Sequence, residues 1–147
     1  MIYFEDIALD KVTKSADYVV SKEELIEFAT RWDPQPYHTS EEGAKAFGME
    51  LFGSSTHSYA ILTKLQTELK GEKPAVIAGL GIESWKTPSP LKPGAVVHSE
   101  SHVESKRESS SKPHLGIITS VSKLVDGDGN IVLEYKSNGL AMKKPTE

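Results

Sequence analysis

The chain contains no cysteine, which excludes both a disulfide framework and a thiolate metal site. It has no apolar run close to the roughly 20 residues that a membrane-spanning helix requires. Its first residues show no basic stretch followed by an apolar one, so no secretory signal is evident. From these absences we expect a cytoplasmic protein with no membrane partner.

An excess of positive charge is also missing. The 17 lysine and arginine residues face 21 acidic ones, which gives a formal net charge of −4. Proteins that mainly bind nucleic acid usually carry a basic footprint, so we expect no nucleic-acid partner. The 147 residues suffice for a domain with a hydrophobic core, and no repeat or linker interrupts them. We therefore expect a single domain over residues 1–147.

Helical signals dominate the first half of the chain. Capping residues precede apolar residues at helical spacing in three places, which predicts three helices. They cover residues 22–32, with Ser21 as N-cap of a capping box; 41–47, with Thr39 or Ser40 as N-cap and Gly48 at the end; and a longer stretch from near Ser54 to Gly71.

The second half changes to alternation with a period of two, which is typical of strands. Strands are predicted over 75–86, 95–106, 115–125 and 131–142, and a short one over 17–20. The run Asp126-Gly-Asp-Gly129 predicts a hairpin loop between the last two. The order of elements indicates an α+β fold in which an antiparallel sheet wraps against one long central helix.

The heptapeptide from Trp32 to His38 places a carboxylate, Asp33, five residues before an imidazole. Pro34 and Pro36 lie between the two groups, and we expect this stretch not to be helical. A stiff segment that holds one acid and one base suits proton transfer. Asp33 taken alone is equally suited to a structural turn, because aspartate is common there.

Five other polar positions have both a structural and a functional interpretation. Ser54 and Ser55 at the start of the long helix are ordinary capping residues, or donors to a ligand. His57, on the first turn of the same helix, is a candidate to support the site, but we expect it to have a packing role. His98 and His102 share one face of a strand, but no third ligand is evident at a useful spacing, so we expect no metal site.

Three separate stretches carry a resemblance to a known family. The chain resembles the MaoC-like dehydratases, single-domain relatives of the (R)-specific enoyl-CoA hydratases with a hot-dog fold. The first stretch is Asp33-Pro-Gln-Pro-Tyr-His38, similar to the family's Asp-x-Asn-Pro-x-His motif. The second is Phe52-Gly-Ser-Ser-Thr-His-Ser-Tyr59, and the third is Trp85-Lys-Thr-Pro-Ser-Pro-Leu-Lys-Pro-Gly94 followed by Lys106-Arg-Glu-Ser109 and Gly116-Ile117.

The resemblance implies reversible addition of water to a trans-2-enoyl thioester, without any cofactor. It implies that Asp33 and His38 are the catalytic pair. It further implies that Ser54, Ser55 and Gln35 bind substrate, with the backbone N–H of Ser55 meeting the thioester carbonyl. The chain departs from the family pattern at Gln35, where asparagine is usual, at Ser40, where aspartate often follows the histidine, and at Ser55, where glycine is usual.

The implied partner is an acyl-CoA or acyl-carrier thioester. Loose candidates to meet its phosphates are Lys86, Lys92, Arg107 and Lys112. Two alternatives stay open: a hot-dog thioesterase, and a non-catalytic acyl-thioester-binding subunit of a hydratase assembly. Because a single open sheet leaves an edge strand exposed, we expect a homodimer or a higher even oligomer.

Overall fold

The helices lie largely where the caps predict them. The protein is described by a computed structural model over residues 1–146. The helices are α1, Lys22–Trp32; α2, Pro36–Thr39; α3, Glu41–Ala46; and α4, Ser55–Thr67, after a short 3-10 helix at Phe4–Asp6.

Six strands form one sheet. They are β1, Thr13–Lys14; β2, Tyr18–Val19; β3, Val76–Lys86; β4, Val96–Glu108; β5, Leu115–Asp126; and β6, Ile131–Met142. The order is β1-β4-β5-β6-β3, with β2 also pairing with β4, and every pairing is antiparallel. The four long predicted strands are confirmed, and Asp126–Gly129 forms the turn between β5 and β6 as expected.

Serine side chains cap the N-termini of three of the helices. The side chains of Ser21, Ser40 and Ser54 accept hydrogen bonds from backbone N–H groups in the first turns of α1, α3 and α4, respectively. Each bond satisfies a donor that a helix start would otherwise leave free. The predicted N-caps are therefore confirmed, with Ser40 rather than Thr39 capping α3.

Two predicted boundaries are wrong. Pro36 opens the single helical turn α2 instead of preventing helix over the whole heptapeptide. Proline is well tolerated at a first helical position, because the N–H it lacks would have no partner there anyway. The long helix ends at Thr67, because its last turn tightens: Leu69 N–H donates to Gln66 O. Gly71 adopts its positive φ of 95° in the following turn.

The core lies between α4 and the concave face of the sheet. Leu62 and Leu65 of α4 are buried in one cluster with Leu124 of β5 and Leu133 of β6. An antiparallel sheet wrapped around one central helix is the hot-dog arrangement, so the expected α+β fold is confirmed. The arrangement fixes the N-terminus of α4 beside the loop that carries Asp33.

One ammonium group makes several of the hydrogen bonds that hold the N-terminal segment on the sheet. Lys106 Nζ on β4 donates to three backbone carbonyl oxygens, those of Phe4 at 3.0 Å, Glu5 at 2.9 Å and Ile7 at 3.0 Å. The Phe4 ring packs over Gly116, where a Cβ atom would lie 2.2 Å from Phe4 Cδ2. Glycine is therefore required at position 116 for this segment to reach the sheet.

Candidate active site

Asp33 and His38 are brought together by the end of α1 and the single turn of α2. Asp33 closes α1, with its N–H donating to Ala29 O at 2.8 Å, and Pro36 restarts the chain as a helical turn. The carboxylate Oδ2 of Asp33 then lies 3.6 Å from Nε2 of His38. The side chain of His38 is 8% exposed and that of Asp33 is 29% exposed, so solvent reaches the pair from the aspartate side.

A backbone carbonyl orients the imidazole. Nδ1 of His38 lies 2.7 Å from the carbonyl oxygen of Phe52, which can only accept a hydrogen bond. Nδ1 therefore carries the proton, and in the neutral ring Nε2 is left as the acceptor on the side of Asp33. The rings of Tyr37 and Phe52 pack edge-on against the imidazole, with centroids 4.7 and 4.6 Å away.

One hydroxyl group joins the carboxylate to the central helix. Ser54 Oγ donates to Asp33 Oδ2 at 2.7 Å, and it accepts from the N–H of Thr56 at 3.2 Å as the cap of α4. Ser54 is fully buried. The serine thus holds Asp33 at the N-terminus of α4.

The N–H of Ser55 is available at this helix start. Ser55 is the first residue of α4, and no acceptor for its N–H lies within the described residues 1–146. Free N–H groups and the helix dipole make such a terminus favourable for negative charge. Ser55 follows Ser54 directly, so this donor is tied to the same short segment that holds Asp33.

The proline-rich turn supports the segment before α4. Leu91, in the turn between β3 and β4, accepts a hydrogen bond from the N–H of Gly53 at 2.8 Å. A Cβ atom at position 53 would lie 2.7 Å from Leu91 Cδ2, so any other residue at this position would displace the Leu91 side chain. Parts of all three stretches that carry the family resemblance therefore meet here, whereas Lys106 and Gly116 of the third stretch lie against the N-terminal segment.

Other predicted site residues lie elsewhere. Gln35 is exposed, and within residues 1–146 its side chain makes no hydrogen bond; its carbonyl accepts from His38 N–H. The four basic candidates do not gather at one rim. Lys92 lines a cleft of about 400 Å³ beside Phe52, Arg107 lines a different cavity beside Leu80, Lys86 ends β3, and Lys112 lies between β4 and β5.

A second carboxylate–imidazole pair lies next to the first turn of α4. His57 is buried and stacks on Phe28, with ring centroids 4.4 Å apart. Its Nε2 lies 3.9 Å from Glu24 Oε1, and its Nδ1 has no hydrogen-bond partner. Burial lowers the pKa of His57, and the nearby Glu24 only partly opposes that effect. This position agrees with the packing role expected for His57.

Sequence reasoning missed the role of Glu24, which it treated only as part of the capping box. The box is half formed: Glu24 N–H donates to Ser21 Oγ at 3.1 Å, but the carboxylate turns to Tyr18 instead. Tyr18 donates to it at 2.5 Å, and this hydrogen bond raises the pKa of Tyr18 to about 12. The sequence signal for this contact is Tyr18 itself, a tyrosine in the short strand that precedes α1.

Within residues 1–146 no three His, Cys, Asp or Glu side chains are grouped so as to hold a metal ion. Nε2 of His98 lies 3.1 Å from Glu100 Oε1, in a local pair on β4. None of the helices in this part of the chain has the length and apolar character needed to cross a bilayer.

Comparisons with known proteins agree with this architecture. The family model described as "MaoC like domain" matches residues 5–124. A MaoC-like dehydratase from Rhodospirillum rubrum is 31% identical, with a TM-score of 0.88 and coverage of 99% of this chain and 100% of that one. A monoamine oxidase regulatory protein from Archaeoglobus fulgius is 25% identical, with a TM-score of 0.85 and coverage of 98% and 96%.

A more distant structure shares the fold. The unliganded (R)-hydratase PhaJ1 from Pseudomonas aeruginosa is 19% identical, with a TM-score of 0.72 and coverage of 97% of this chain and 87% of that one. No curated protein sequence matches the chain.

Proposed function

We propose that this chain, which belongs to the MaoC-like domain family, is a hydro-lyase that adds water reversibly to a trans-2-enoyl thioester. The observation that carries the proposal is the distance of 3.6 Å between Asp33 Oδ2 and His38 Nε2. This separation is too long for a direct hydrogen bond but allows both atoms to contact one water molecule.

The pair would perform both proton transfers. With Nδ1 of His38 bonded to Phe52 O, the free Nε2 and the carboxylate of Asp33 are two acceptors for the same water. One accepts a proton as the water oxygen bonds to C3 of the enoyl group. The pair then returns a proton to C2, so both groups regain their starting states. General acid–base groups of this kind contribute about 10²- to 10⁴-fold each.

Attack at C3 moves negative charge onto the thioester oxygen. We assign the N–H of Ser55 as the donor to that oxygen, because it is unpaired within residues 1–146 and opens α4. An oriented donor at a developing oxyanion is worth about 10²- to 10³-fold in rate. No cofactor takes part in this scheme, and Gln35, exposed at the start of α2, remains a proposed substrate contact.

We also propose that two copies assemble through β3. This strand pairs with β6 on one side and, within the described residues, with nothing on the other. Its side chains are exposed, and they include five large apolar ones: Val76, Ile77, Leu80, Ile82 and Trp85. A long apolar edge is an association site, and joining two such edges about a two-fold axis satisfies both.

The direct test of the function uses purified protein and crotonyl-CoA. We expect loss of the conjugated enoyl absorbance, and its recovery from the 3-hydroxyacyl thioester in the reverse direction. Free thiol is measured in the same assay, because its release would indicate the thioesterase alternative. Folded protein that turns over no enoyl thioester, linear, branched or dicarboxylic, would leave the non-catalytic subunit as the remaining assignment.

A further inference from the structure

Side chains of α1 and α4 meet at two places near the candidate active site. At the end of α1, Asp33 accepts a hydrogen bond of 2.7 Å from Ser54, the N-cap of α4. At the other place, the Phe28 ring of α1 stacks on the His57 imidazole of α4, with centroids 4.4 Å apart and an angle of 6° between the ring planes. The proposed hydration chemistry uses neither ring.

The two contacts are separated along both helices. Phe28 precedes Asp33 by five residues, which corresponds to about 7 Å of helix rise, and His57 follows Ser54 by three residues, which corresponds to about 4 Å. Two separated contacts restrain the angle between two helices, whereas a single contact permits pivoting about it. The ring stack of Phe28 and His57 therefore restrains the tilt of α1 relative to α4.

The imidazole side of the stack belongs to the same helical turn as the N-cap. The side chain of His57 is 4% exposed, and its N–H donates to Ser54 O at 3.0 Å. The hydroxyl of the same serine holds the carboxylate of Asp33. The stack and the hydrogen bond to Asp33 thus act on one short segment at the start of α4.

The imidazole is held by its flat faces more than by its nitrogen atoms. Nδ1 of His57 has no hydrogen-bond partner within residues 1–146. Its Nε2 lies 3.9 Å from Oε1 of Glu24, which is too long for a direct hydrogen bond. Tyr18 of β2 donates to the same carboxylate oxygen at 2.5 Å, so Glu24 is already bonded to another group. The contact with Phe28 is therefore the close one.

The two members of the proton-transfer pair are placed by different helices. Asp33 closes α1, with its N–H bonded to Ala29 O. His38 is oriented by the carbonyl of Phe52, in the segment that leads into α4. A tilt of α1 relative to α4 therefore changes the 3.6 Å separation between Asp33 Oδ2 and His38 Nε2. A displacement of about 1 Å at a reacting group can cost about 10²-fold in rate.

We propose that Phe28 and His57 are positioning residues, whose ring stack sets the tilt of α1 on α4 and hence the separation of the proton-transfer pair. The effect on rate rests on the proposed function, whereas the effect on structure does not. The donor assigned to the substrate, Ser55 N–H, belongs to α4 itself, so a tilt of α1 leaves it in place. Loss of the stack therefore lowers kcat and changes KM little.

The test compares variants that remove the stack with one that keeps it. His57→Ala and Phe28→Ala each remove one ring, whereas His57→Phe replaces one flat ring by another. Leu65→Ala is the control, because Leu65 is buried on the same helix about 15 Å beyond Ser55, and its truncation weakens the core far from the stack.

Two measurements are made on each variant. Kinetics with crotonyl-CoA give KM and the value of kcat per folded molecule. Hydrogen exchange followed by NMR gives the opening of the Asp33 N–H at the end of α1, relative to amides in the middle of α4. The exchange measurement needs no substrate, so it tests the structural role independently of the reaction.

We expect His57→Ala and Phe28→Ala to lower kcat at least tenfold, to leave KM within twofold, and to speed the relative exchange at Asp33 at least tenfold. His57→Phe should keep at least half of kcat and the slow exchange, and Leu65→Ala should keep both.

Three results would overturn the proposal: an equal loss of kcat in Leu65→Ala, a raised KM with unchanged kcat in His57→Ala, or a His57→Phe variant as impaired as His57→Ala. If the unchanged chain does not turn over crotonyl-CoA, the proposed function fails and the exchange alone decides the structural role. Unchanged relative exchange at Asp33 in both alanine variants refutes that role.

Discussion

The imidazole of His38 is held by the main chain of Phe52, whose carbonyl oxygen lies 2.7 Å from Nδ1. The acceptor belongs to the backbone, so it persists whatever side chain stands at position 52. The main chain over residues 51–54 therefore determines the tautomer of the neutral imidazole, with the proton on Nδ1 and Nε2 free. This relationship determines how variants of the pair should behave.

Asp33→Asn and His38→Gln should each lower kcat for crotonyl-CoA hydration by about 10²- to 10⁴-fold, because each removes one member of the pair that moves the proton. The double variant should be little worse than either single one, since the two groups act as a unit. Asp17→Asn, an exposed aspartate far along the chain from this pair, is the control and should retain full activity. Either single variant keeping more than a tenth of the activity would contradict the assignment.

Ser54→Ala should lower both stability and activity. It removes the cap of α4, which costs about 1 kcal/mol, and it frees Asp33 from its 2.7 Å hydrogen bond. Ser21→Ala is the matched control, because Ser21 caps α1 in the same way and makes no contact with Asp33. Urea unfolding and kcat separate the two effects: equal loss of activity in both variants would reduce Ser54 to an ordinary cap.

His57 should make the fold less stable in mild acid. Burial lowers its pKa in the folded chain, whereas the unfolded chain keeps a value near 6.5. Below about pH 6.5 the unfolded state therefore binds the proton first, and stability falls as the pH drops toward the folded value. His57→Phe retains a ring against Phe28 and should remove this part of the pH dependence.

The measurement is the urea midpoint at pH 7.5 and at pH 5.5 for both proteins. The decrease on acidification should be smaller in His57→Phe than in the unchanged chain. An identical decrease in the two would show that other groups dominate the acid sensitivity.

Charge on the free edge of β3 should block assembly. Leu80 and Ile82 are 54% and 46% exposed, and lysine at both positions would place charge where two edges meet. Light scattering should give the mass of two chains or a higher even number for the unchanged protein and of one chain for the double variant. Val12→Lys, at an apolar position that is 61% exposed on another part of the surface, is the control. A single-chain mass without any substitution would refute the proposed assembly.

Lys106→Met should destabilise the fold by about 2 kcal/mol, because three carbonyl oxygens lose a charged donor at once. Lys123→Met, on the neighbouring strand, should cost far less. Chemical unfolding gives the magnitude, and hydrogen exchange at residues 4–7 gives the location. Unchanged exchange there would show that the packing of Phe4 and Ile7 and the contacts of Lys144 suffice to hold the segment.

Much of the fold is predictable from local patterns. The four long strands are confirmed, because alternation along them is bounded by unambiguous turn residues such as Asp126–Gly129 and Gly94. Pro36 was misjudged because proline has opposite effects at the first position of a helix and in its interior. The sequence predicts an end of α4 at Gly71, but the helix ends at Thr67. The hydrogen bond that tightens its last turn depends on the backbone conformation of residues 66–69, which Gly71 does not indicate.

The candidate site is less readable from sequence. The heptapeptide alone suggests that Asp33 and His38 act together, but Ser54 lies 21 positions after Asp33, and only the family resemblance indicates that it belongs with them. The oxygen of Phe52 has no sequence signature, because every residue has a carbonyl. Glu24 and Tyr18 come into contact because a turn joins their strand and helix. The capping-box pattern at Ser21 already accounted for a glutamate at position 24, so it gave no reason to expect the contact with Tyr18.

The residues that position Asp33 and His38 (Phe52, Gly53, Ser54 and Leu91) all come from one polypeptide. In an assembly of two copies, each copy would then carry its own Asp33 and His38 together with the groups that position them. Mixing active chains with chains inactivated at Asp33 should lower the specific rate in simple proportion to the mixing ratio. If the gene for such a chain were duplicated, one of the two encoded chains could lose its catalytic activity and use its binding surface for another purpose. The other chain would keep its activity.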